Sequence, residues 1–327
     1  MSSIALLALT LAAECARTTR PPRDGRIGAY RWPLKPFNKP HPVRGNFGDP
    51  RTRFAEPRSD KALLGDGVFS FHQGVDINGP DGTPVYPVAS GKVTRVLTER
   101  VTVACGNGRS FQYWHIEPAV RVGQRAEAGK TVLGHIQPLR EHVHLTHLEN
   151  GRAVNPLVPG HLTPYRDATR PRVLRVGVRS VAGRDGPARR LSGRLFFVVE
   201  AIDMPSLPVQ GRWHGGYPVT PALITWRIQR ASRIVVPERV AWDVRRSVPK
   251  NERFWAAFAR GTYQNWPVFD SQHHRFKRGK LLFKLSARPF DTRRLADGAY
   301  ELVVTAEDTG GNRDVGRLRF TTDNSSV

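Results

Sequence analysis

The sequence contains little cysteine and no long apolar run in its main part. Cys15 and Cys105 are the two cysteines among 327 residues, which excludes the disulfide-rich folds of small secreted proteins. Beyond the first residues, no stretch approaches the roughly 18 continuous apolar residues of a transmembrane helix. We therefore expect the protein to be stabilised by packed cores, or by a bound ion, and not by disulfides.

Acidic residues are also scarce. The chain has 28 Asp and Glu against 51 Lys and Arg, a formal net charge of +23. Such an excess favours polyanionic partners through counterion release and long-range attraction. The basic residues are scattered from Arg17 to Arg319 and do not form one stripe with interleaved aromatics. We therefore expect no nucleic-acid partner, and anionic wall polymers are the partner that the charge favours.

The first residues have features of an export signal. An apolar run over residues 4–13 is long enough for a signal h-region and too short to span a bilayer. We predict a leader over residues 1–25 and an extracellular or cell-envelope location. Association with a membrane is expected only if Cys15 is lipidated.

Length and composition predict two all-β domains. Single domains usually hold about 100 to 200 residues, and an apolar share of 39% is enough to form real cores. Residues 26–44 are rich in Pro and Arg and predict an extended lead-in. Short β-type runs separated by Gly and Pro turns occupy residues 45–160 and again residues 173–327, with residues 161–172 as a linker.

The distal domain has the pattern of an antiparallel β-sandwich. Polar and apolar residues alternate over residues 300–306, and a turn-rich segment follows at 307–312. Residues 251–259 predict one short helix because Phe254, Trp255 and Phe258 have helical spacing. The domain resembles immunoglobulin- or fibronectin-like sandwiches, which implies wall attachment, substrate positioning or inhibition as its task.

Two segments carry residue types that bind metals. His72 and Asp76 flank a Gly-Val pair that disfavours a helix, so we expect them on a loop that enters a strand. Imidazole and carboxylate groups both bind zinc at about 2.0–2.2 Å, and two such ligands leave a tetrahedral site half filled. His142 and His144 are alternate residues of a predicted strand and therefore share a face. The pattern alone does not decide which of these two histidines contacts the metal.

Short motifs follow one another between Trp32 and Leu157. They are residues 45–51 (GNFGDPR), 72–77 (HQGVDI), 82–93 (GTPVYPVASGKV), 113–115 (YWH) with 122–124 (VGQ) and 128–130 (AGK), and 142–144 (HVH) with 151–156 (GRAVNP). In this order they resemble the lysostaphin/LytM-type zinc endopeptidases.

The resemblance implies a barrel-sandwich-like, antiparallel β peptidase domain that binds Zn²⁺. Carried over position by position, it makes His72, Asp76 and His144 the metal ligands and leaves the fourth position to water. It makes His115 and His142 the non-ligand histidines that work as general base or transition-state donor. The implied function is a metalloendopeptidase that hydrolyses peptide bonds of bacterial peptidoglycan, in the cross-bridge or the stem peptide.

The alternative within the same family is a catalytically silent LytM-like domain that binds wall peptide or regulates a partner hydrolase. The presence of every expected metal and catalytic position argues against it. The chain also departs from the family pattern, because residues 69–71 lack a tyrosine and residues 145–147 replace an aromatic and an acid. His147 lies an odd number of residues from His144, so we expect it to face away from the site and to be structural.

Overall fold

The structure is a computed structural model that describes residues 29–53, 68–187, 189–211, 217–268 and 275–324. The leader predicted for residues 1–25, including Cys15, lies outside the described residues. Within these ranges, no helix has the length and apolarity needed to cross a membrane.

The chain divides into two compact units, and each is built mainly of antiparallel strands. The first unit comprises Met1–Phe47, Gln73–Asp167 and Pro205–Gly216, and the second comprises Gly48–His72, Ala168–Met204 and Tyr217–Val327. The all-β fold class predicted from the sequence is confirmed for the described residues.

Strands are numbered along the chain. The first unit contains β1 (Val43–Gly45), β4 (Val75–Asn78), β5 (Pro84–Val85), β6 (Gly91–Leu97), β7 (Arg100–Gly106), β8 (Arg109–Trp114), β9 (Ile116–Pro118), β10 (Arg125–Ala126), β11 (Gly134–Ile136), β12 (His142–Glu149) and β13 (Arg152–Val154). Eight of them form an antiparallel sheet in the order β1-β4-β12-β8-β7-β6-β10, with β13 paired to β12. Strands β5, β11 and β9 form a smaller antiparallel sheet.

Strand β12 lies near the middle of the large sheet and has two different faces. Val143 and Leu145 are fully buried in the core. Because side chains alternate along a strand, His142 and His144 project from the opposite face. The strand therefore joins the hydrophobic core of the first unit to the candidate functional side chains.

Residues from the end of the predicted lead-in are packed in the first unit. Trp32 is fully buried, and its indole N–H donates to Pro164 O at 2.7 Å. The backbone N–H of Tyr30 donates to His161 O, and that of Thr163 donates to Tyr30 O, both at 2.9 Å. These contacts tie the segment before β1 to the segment that follows β13.

The second unit contains the remaining strands. They are β2 (Pro50–Arg53), β3 (Val68–Phe71), β14 (Arg172–Ser180), β15 (Arg190–Leu191), β16 (Arg194–Ile202), β17 (Leu223–Arg230), β18 (Arg233–Asp243), β19 (Trp266–Val268), β20 (Arg275–Lys277), β21 (Leu282–Lys284), β22 (Phe290–Asp291), β23 (Gly298–Glu307) and β24 (Arg313–Thr322). One sheet has the order β14-β16-β21 with β22 on β16, another has the order β15-β24-β23-β17-β18, and β2-β3 and β19-β20 are separate pairs.

Aromatic side chains join the two larger sheets of this unit. The ring of Phe197 on β16 lies 6.5 Å from that of Trp226 on β17 and 5.5 Å from that of Phe320 on β24. All three residues are buried, so the sheets pack through a shared aromatic core. Tyr300 at the start of β23 donates its hydroxyl to Ala296 O at 2.7 Å, a contact of the kind found in tyrosine corners. The immunoglobulin- or fibronectin-like topology stays a prediction.

The helix predicted within residues 251–259 is present but short. A 3₁₀ turn covers Asn251–Arg253, and helix α1 covers Phe254–Ala257. Phe254 and Phe258 are buried, with ring centroids 4.9 Å apart. Phe254 and Phe258 are therefore core residues, whereas Trp255 is half-buried.

Candidate metal centre

Strand register brings the candidate site residues together on one face of the large sheet. Asp76 on β4 lies directly opposite His144 on β12, and His144 lies opposite Trp114 on β8. Side chains that are directly opposite on paired strands project from the same face. His115 follows Trp114 with a φ of 64°, which turns the chain as β8 ends.

His72 immediately precedes the segment that enters β4. Its backbone N–H donates to Asp49 O, and its carbonyl accepts from Gly48 N–H, both at 2.9 Å. Its side chain is buried. Ligand atoms of His72, Asp76 and His144 all lie within 4.8 Å of one another. The structure thus brings together the three residues that the sequence proposed as ligands.

The contacts of His144 fit a metal-binding role. Its Nδ1 lies 3.1 Å from Asp76 Oδ1, close to the roughly 3.3 Å that separates two ligands bound at about 2.0 Å in a tetrahedral site. Its Nε2 lies 2.8 Å from Thr146 Oγ1. If Nε2 donates its proton to this hydroxyl, Nδ1 carries the lone pair, which is directed towards Asp76. A hydrogen bond from one ring nitrogen commonly orients a metal-binding imidazole in this way.

This donor set suits a catalytic zinc ion. Two imidazoles and one carboxylate form a common three-ligand set of catalytic zinc sites, in which the fourth position takes water or substrate. His72 is buried and the side chains of Asp76 and His144 are largely buried, which limits the access of bulk water. The residues present therefore fit the ion that the sequence predicts.

His115 is held beside the candidate metal ligands. Its ring centroid lies 4.7 Å from that of His142 and 6.3 Å from that of His144. Its Nδ1 lies 3.4 Å from Glu99 Oε2, which also accepts a hydrogen bond from Arg140 Nη2 at 3.1 Å. Burial lowers the pKa of His115 to about 4, although the charge of Asp76 opposes the shift. The imidazole is therefore neutral at neutral pH and able to accept a proton.

His142 lies between the candidate metal ligands and a cluster of polar groups. Its Nε2 is 3.6 Å from Asp76 Oδ1. Its Nδ1 is 2.6 Å from both Arg44 Nη2 and the carbonyl of Arg140. These two contacts require opposite tautomers, so they do not fix which ring nitrogen carries the proton. Burial, and then the charge of Arg44, hold the pKa of His142 well below its usual range.

A carboxylate fixes the loop that leads into β12. Asp81 accepts hydrogen bonds from the backbone N–H groups of Leu139 at 2.7 Å and Glu141 at 2.8 Å. Leu139 and Glu141 have φ values of 68° and 51°, a conformation that non-glycine residues rarely adopt. Asp81 therefore stabilises an unfavourable turn just before His142.

Sequence reasoning missed Arg44 and Glu99, which contact the histidines, and Asp81, which holds the loop before His142. Arg44 directly precedes the first of the short motifs but belongs to none of them, and Glu99 lies in the turn between β6 and β7. Their roles depend on the strand order, which places residues distant in sequence side by side. Asp81-Gly82 is a recognisable turn signal, but the sequence does not show what its carboxylate contacts.

Gly74, directly before β4, lies in close contact with β12. A Cβ added there would overlap the carbonyl oxygen of Leu145 and lie 2.7 Å from His144 Nε2. We expect Gly74→Ala to lower the free energy of unfolding by about 1–3 kcal/mol and to weaken zinc binding. Chemical denaturation and zinc titration measure the two effects. Gly177→Ala on β14 is the matched control, because an added Cβ meets nothing within 4 Å; equal behaviour of both variants would contradict the steric argument.

Comparisons with known proteins found a family match and several similar solved structures. Residues 70–156 match the model of peptidase family M23. Similar solved structures include a zinc-containing peptidase from Vibrio cholerae (22% identity, 40% of this chain and 39% of that chain, TM-score 0.30), the catalytic domain of the prophage-encoded M23 protein EnpA from Enterococcus faecalis (22%, 39% and 98%, TM-score 0.29) and LytU (24%, 38% and 87%, TM-score 0.27). The comparison with curated proteins gave no match.

The matched segment contains all the residues that the sequence proposed for metal binding and catalysis. His72 and Asp76 lie near its beginning, His115 near its middle, and His142 and His144 near its end. The match to the peptidase family M23 model confirms the LytM-type resemblance for residues 70–156, the segment that carries the candidate site.

Proposed function

We propose that this chain is a zinc metalloendopeptidase that hydrolyses peptide bonds of bacterial peptidoglycan, in the cross-bridge or the stem peptide. The observation that carries the proposal is the convergence of His72, Asp76 and His144, whose ligand atoms lie within 4.8 Å of one another beside two further histidines. An extracellular or cell-envelope location is part of the proposal, because that is where this substrate occurs.

The proposed metal would be held by His72, Asp76 and His144. When bound, zinc lowers the pKa of its water towards about 7 and polarises the scissile carbonyl. His115 is the proposed general base. With Nδ1 directed at Glu99, a proton on that nitrogen leaves the lone pair on Nε2, which can take a proton and return it to the leaving amine.

His142 and Arg44 are the proposed groups that stabilise negative charge beside the metal. The Nε2 of His142 is 3.6 Å from Asp76 Oδ1 and therefore close to the proposed ion. In the tautomer in which Arg44 donates to Nδ1, Nε2 carries the proton and can stabilise the negative charge that develops on the carbonyl oxygen. The overall charge of +23 supports attraction to anionic wall polymers.

Zinc content and wall clearing test the proposal together. We expect the purified full chain to contain zinc and to reduce the turbidity of a peptidoglycan suspension. A chelator should abolish the clearing, and added Zn²⁺ should restore it, because metal-activated water is the proposed nucleophile. Folded, zinc-loaded protein that binds walls without releasing new amino termini would contradict the proposal and support the silent, regulatory alternative.

A further inference from the structure

His147 is a buried polar residue that the proposed mechanism does not use. It lies on β12, three residues after His144, and its side chain is fully buried on the core side of the strand, as its odd spacing predicted. Its Nε2 has no hydrogen-bond partner within the described ranges. Buried polar atoms are nearly always satisfied, so an unpartnered ring nitrogen in a core points to a ligand.

The surroundings of His147 fix the orientation of its ring. The ring stacks on Phe111, with centroids 4.7 Å apart and an interplanar angle of 22°. Its Nδ1 lies 3.3 Å from the hydroxyl of Tyr30. With the proton on Nδ1 and shared with that hydroxyl, Nε2 carries the lone pair. Its Nε2 lies 3.6 Å from Glu149 Oε1, two residues further along the same face of β12.

His161 brings a second imidazole to the same point. Its Nδ1 lies 2.8 Å from the carbonyl of Asn155, to which it donates. This contact fixes the tautomer in which Nε2 can act as a metal ligand, as second-sphere acceptors commonly do. The rings of His147 and His161 lie 4.9 Å apart, and ligand atoms of His147, Glu149 and His161 all lie within 4.8 Å of one another.

We infer that His147, Glu149 and His161 form a second zinc site, structural in role and separate from the proposed catalytic one. Two imidazole nitrogens and a carboxylate oxygen are ligands that zinc accepts. Val143, Leu145 and His147 share the core face of β12, whereas His144 projects from the other face. The second site therefore lies on the opposite side of the strand.

Some features around this site favour metal binding and others oppose it. Burial, followed by the nearby His161 and Arg109, lowers the pKa of His147 to about 3, which keeps the ring in the neutral form that binds metals. Arg109 on β8 and Arg152 on β13 lie directly opposite Glu149 in the sheet. These cations compete with a metal for the carboxylate, so we expect weaker binding here than at a site without them.

A metal at this position would crosslink two parts of the first unit, to which a third part is joined by hydrogen bonds. Strand β12 supplies His147 and Glu149, and the segment after β13 supplies His161. Tyr30 is tied to both through its hydroxyl and its backbone. Because a metal that binds the folded state favours that state, zinc should stabilise the fold even when the proposed catalytic site is destroyed.

Zinc stoichiometry of the full chain tests the inference independently of peptidase activity. After dialysis against Zn²⁺ and then metal-free buffer, we expect two zinc ions per chain in the unaltered protein, one in His144→Ala and none in His144→Ala combined with His161→Gln. Zinc should raise the Tm of the single variant but not that of the double variant. His135→Gln is the matched control, because His135 is an exposed histidine of the same unit.

A folded His144→Ala variant that retains no zinc would overturn the second site. So would a His161→Gln variant with the zinc content of the unaltered protein. If His161→Gln does not fold, Glu149→Gln at the exposed end of β12 provides the same zinc-count comparison. Failure of the proposed peptidase function alone would abolish wall clearing and leave the zinc count of His144→Ala at one.

Discussion

His144→Ala is expected to lower peptidoglycan hydrolysis by at least about a thousandfold. The imidazole lies 3.1 Å from Asp76 Oδ1 through Nδ1, and its loss leaves the proposed catalytic ion with two protein ligands. Zinc supplies several kcal/mol of transition-state stabilisation, and about 4 kcal/mol corresponds to a factor of roughly a thousand in rate. The measurement is the release of new amino termini from purified walls at saturating Zn²⁺, together with zinc content.

The control for this variant is His135→Ala, which removes an exposed imidazole from β11. It should keep both the activity and the zinc content of the unaltered protein. Circular dichroism must show that His144→Ala is folded. A folded His144→Ala protein that retains more than about a tenth of the activity would exclude His144 as a ligand essential to catalysis.

His115→Ala is expected to reduce kcat by about 100- to 10,000-fold, the usual contribution of a general base or acid. The zinc content should not change, because the structure brings His72, Asp76 and His144, and not His115, to a shared point. The separation of lost activity from retained zinc distinguishes a proton-transfer role from a ligand role. Single-turnover hydrolysis of a defined muropeptide, combined with elemental analysis, measures both quantities.

Glu99→Gln is a milder variant of the same part of the site and is compared with His115→Ala. Glu99 lies 3.4 Å from His115 Nδ1 and accepts from Arg140, so its carboxylate orients the imidazole but does not reach the substrate in the proposed mechanism. We expect a smaller loss of kcat than in His115→Ala, again with zinc retained. Equal zinc loss in both variants would instead assign this corner of the site to metal binding.

The strands of the fold were predictable where one face of a sheet is buried. Alternation over residues 300–306 predicted a strand, and β23 covers that segment. Strand β18 was missed, because Pro237 and several charged residues interrupt its pattern. It lies at the end of its sheet, where a proline does not remove a ladder hydrogen bond. The edge position allows β18 to form a strand despite its proline, and the local sequence does not show that position.

The proposed metal ligands could be named from the sequence because they belong to short motifs, although the choice of His144 over His142 came from the family resemblance. The residues around them could not. Arg44 and Glu99 reach the histidines through the order of the strands, and Asp81 holds the turn before His142. Likewise, the burial of Trp32 in the first unit depends on a contact with Pro164, far along the chain. Local patterns locate the chemistry, and long-range packing supplies the groups that tune it.

Because β12 has a core face and a site face, both the core and the candidate site depend on the register of β12 with β4 and β8. A slip of one residue would turn His142 and His144 into the apolar interior and would expose Val143 and Leu145 where substrate is expected. The misaligned strand would bury two imidazoles without partners and lose both proposed metal sites at once. A single-residue deletion within this strand should therefore abolish catalysis and zinc-dependent stability together, although every ligand remains in the chain.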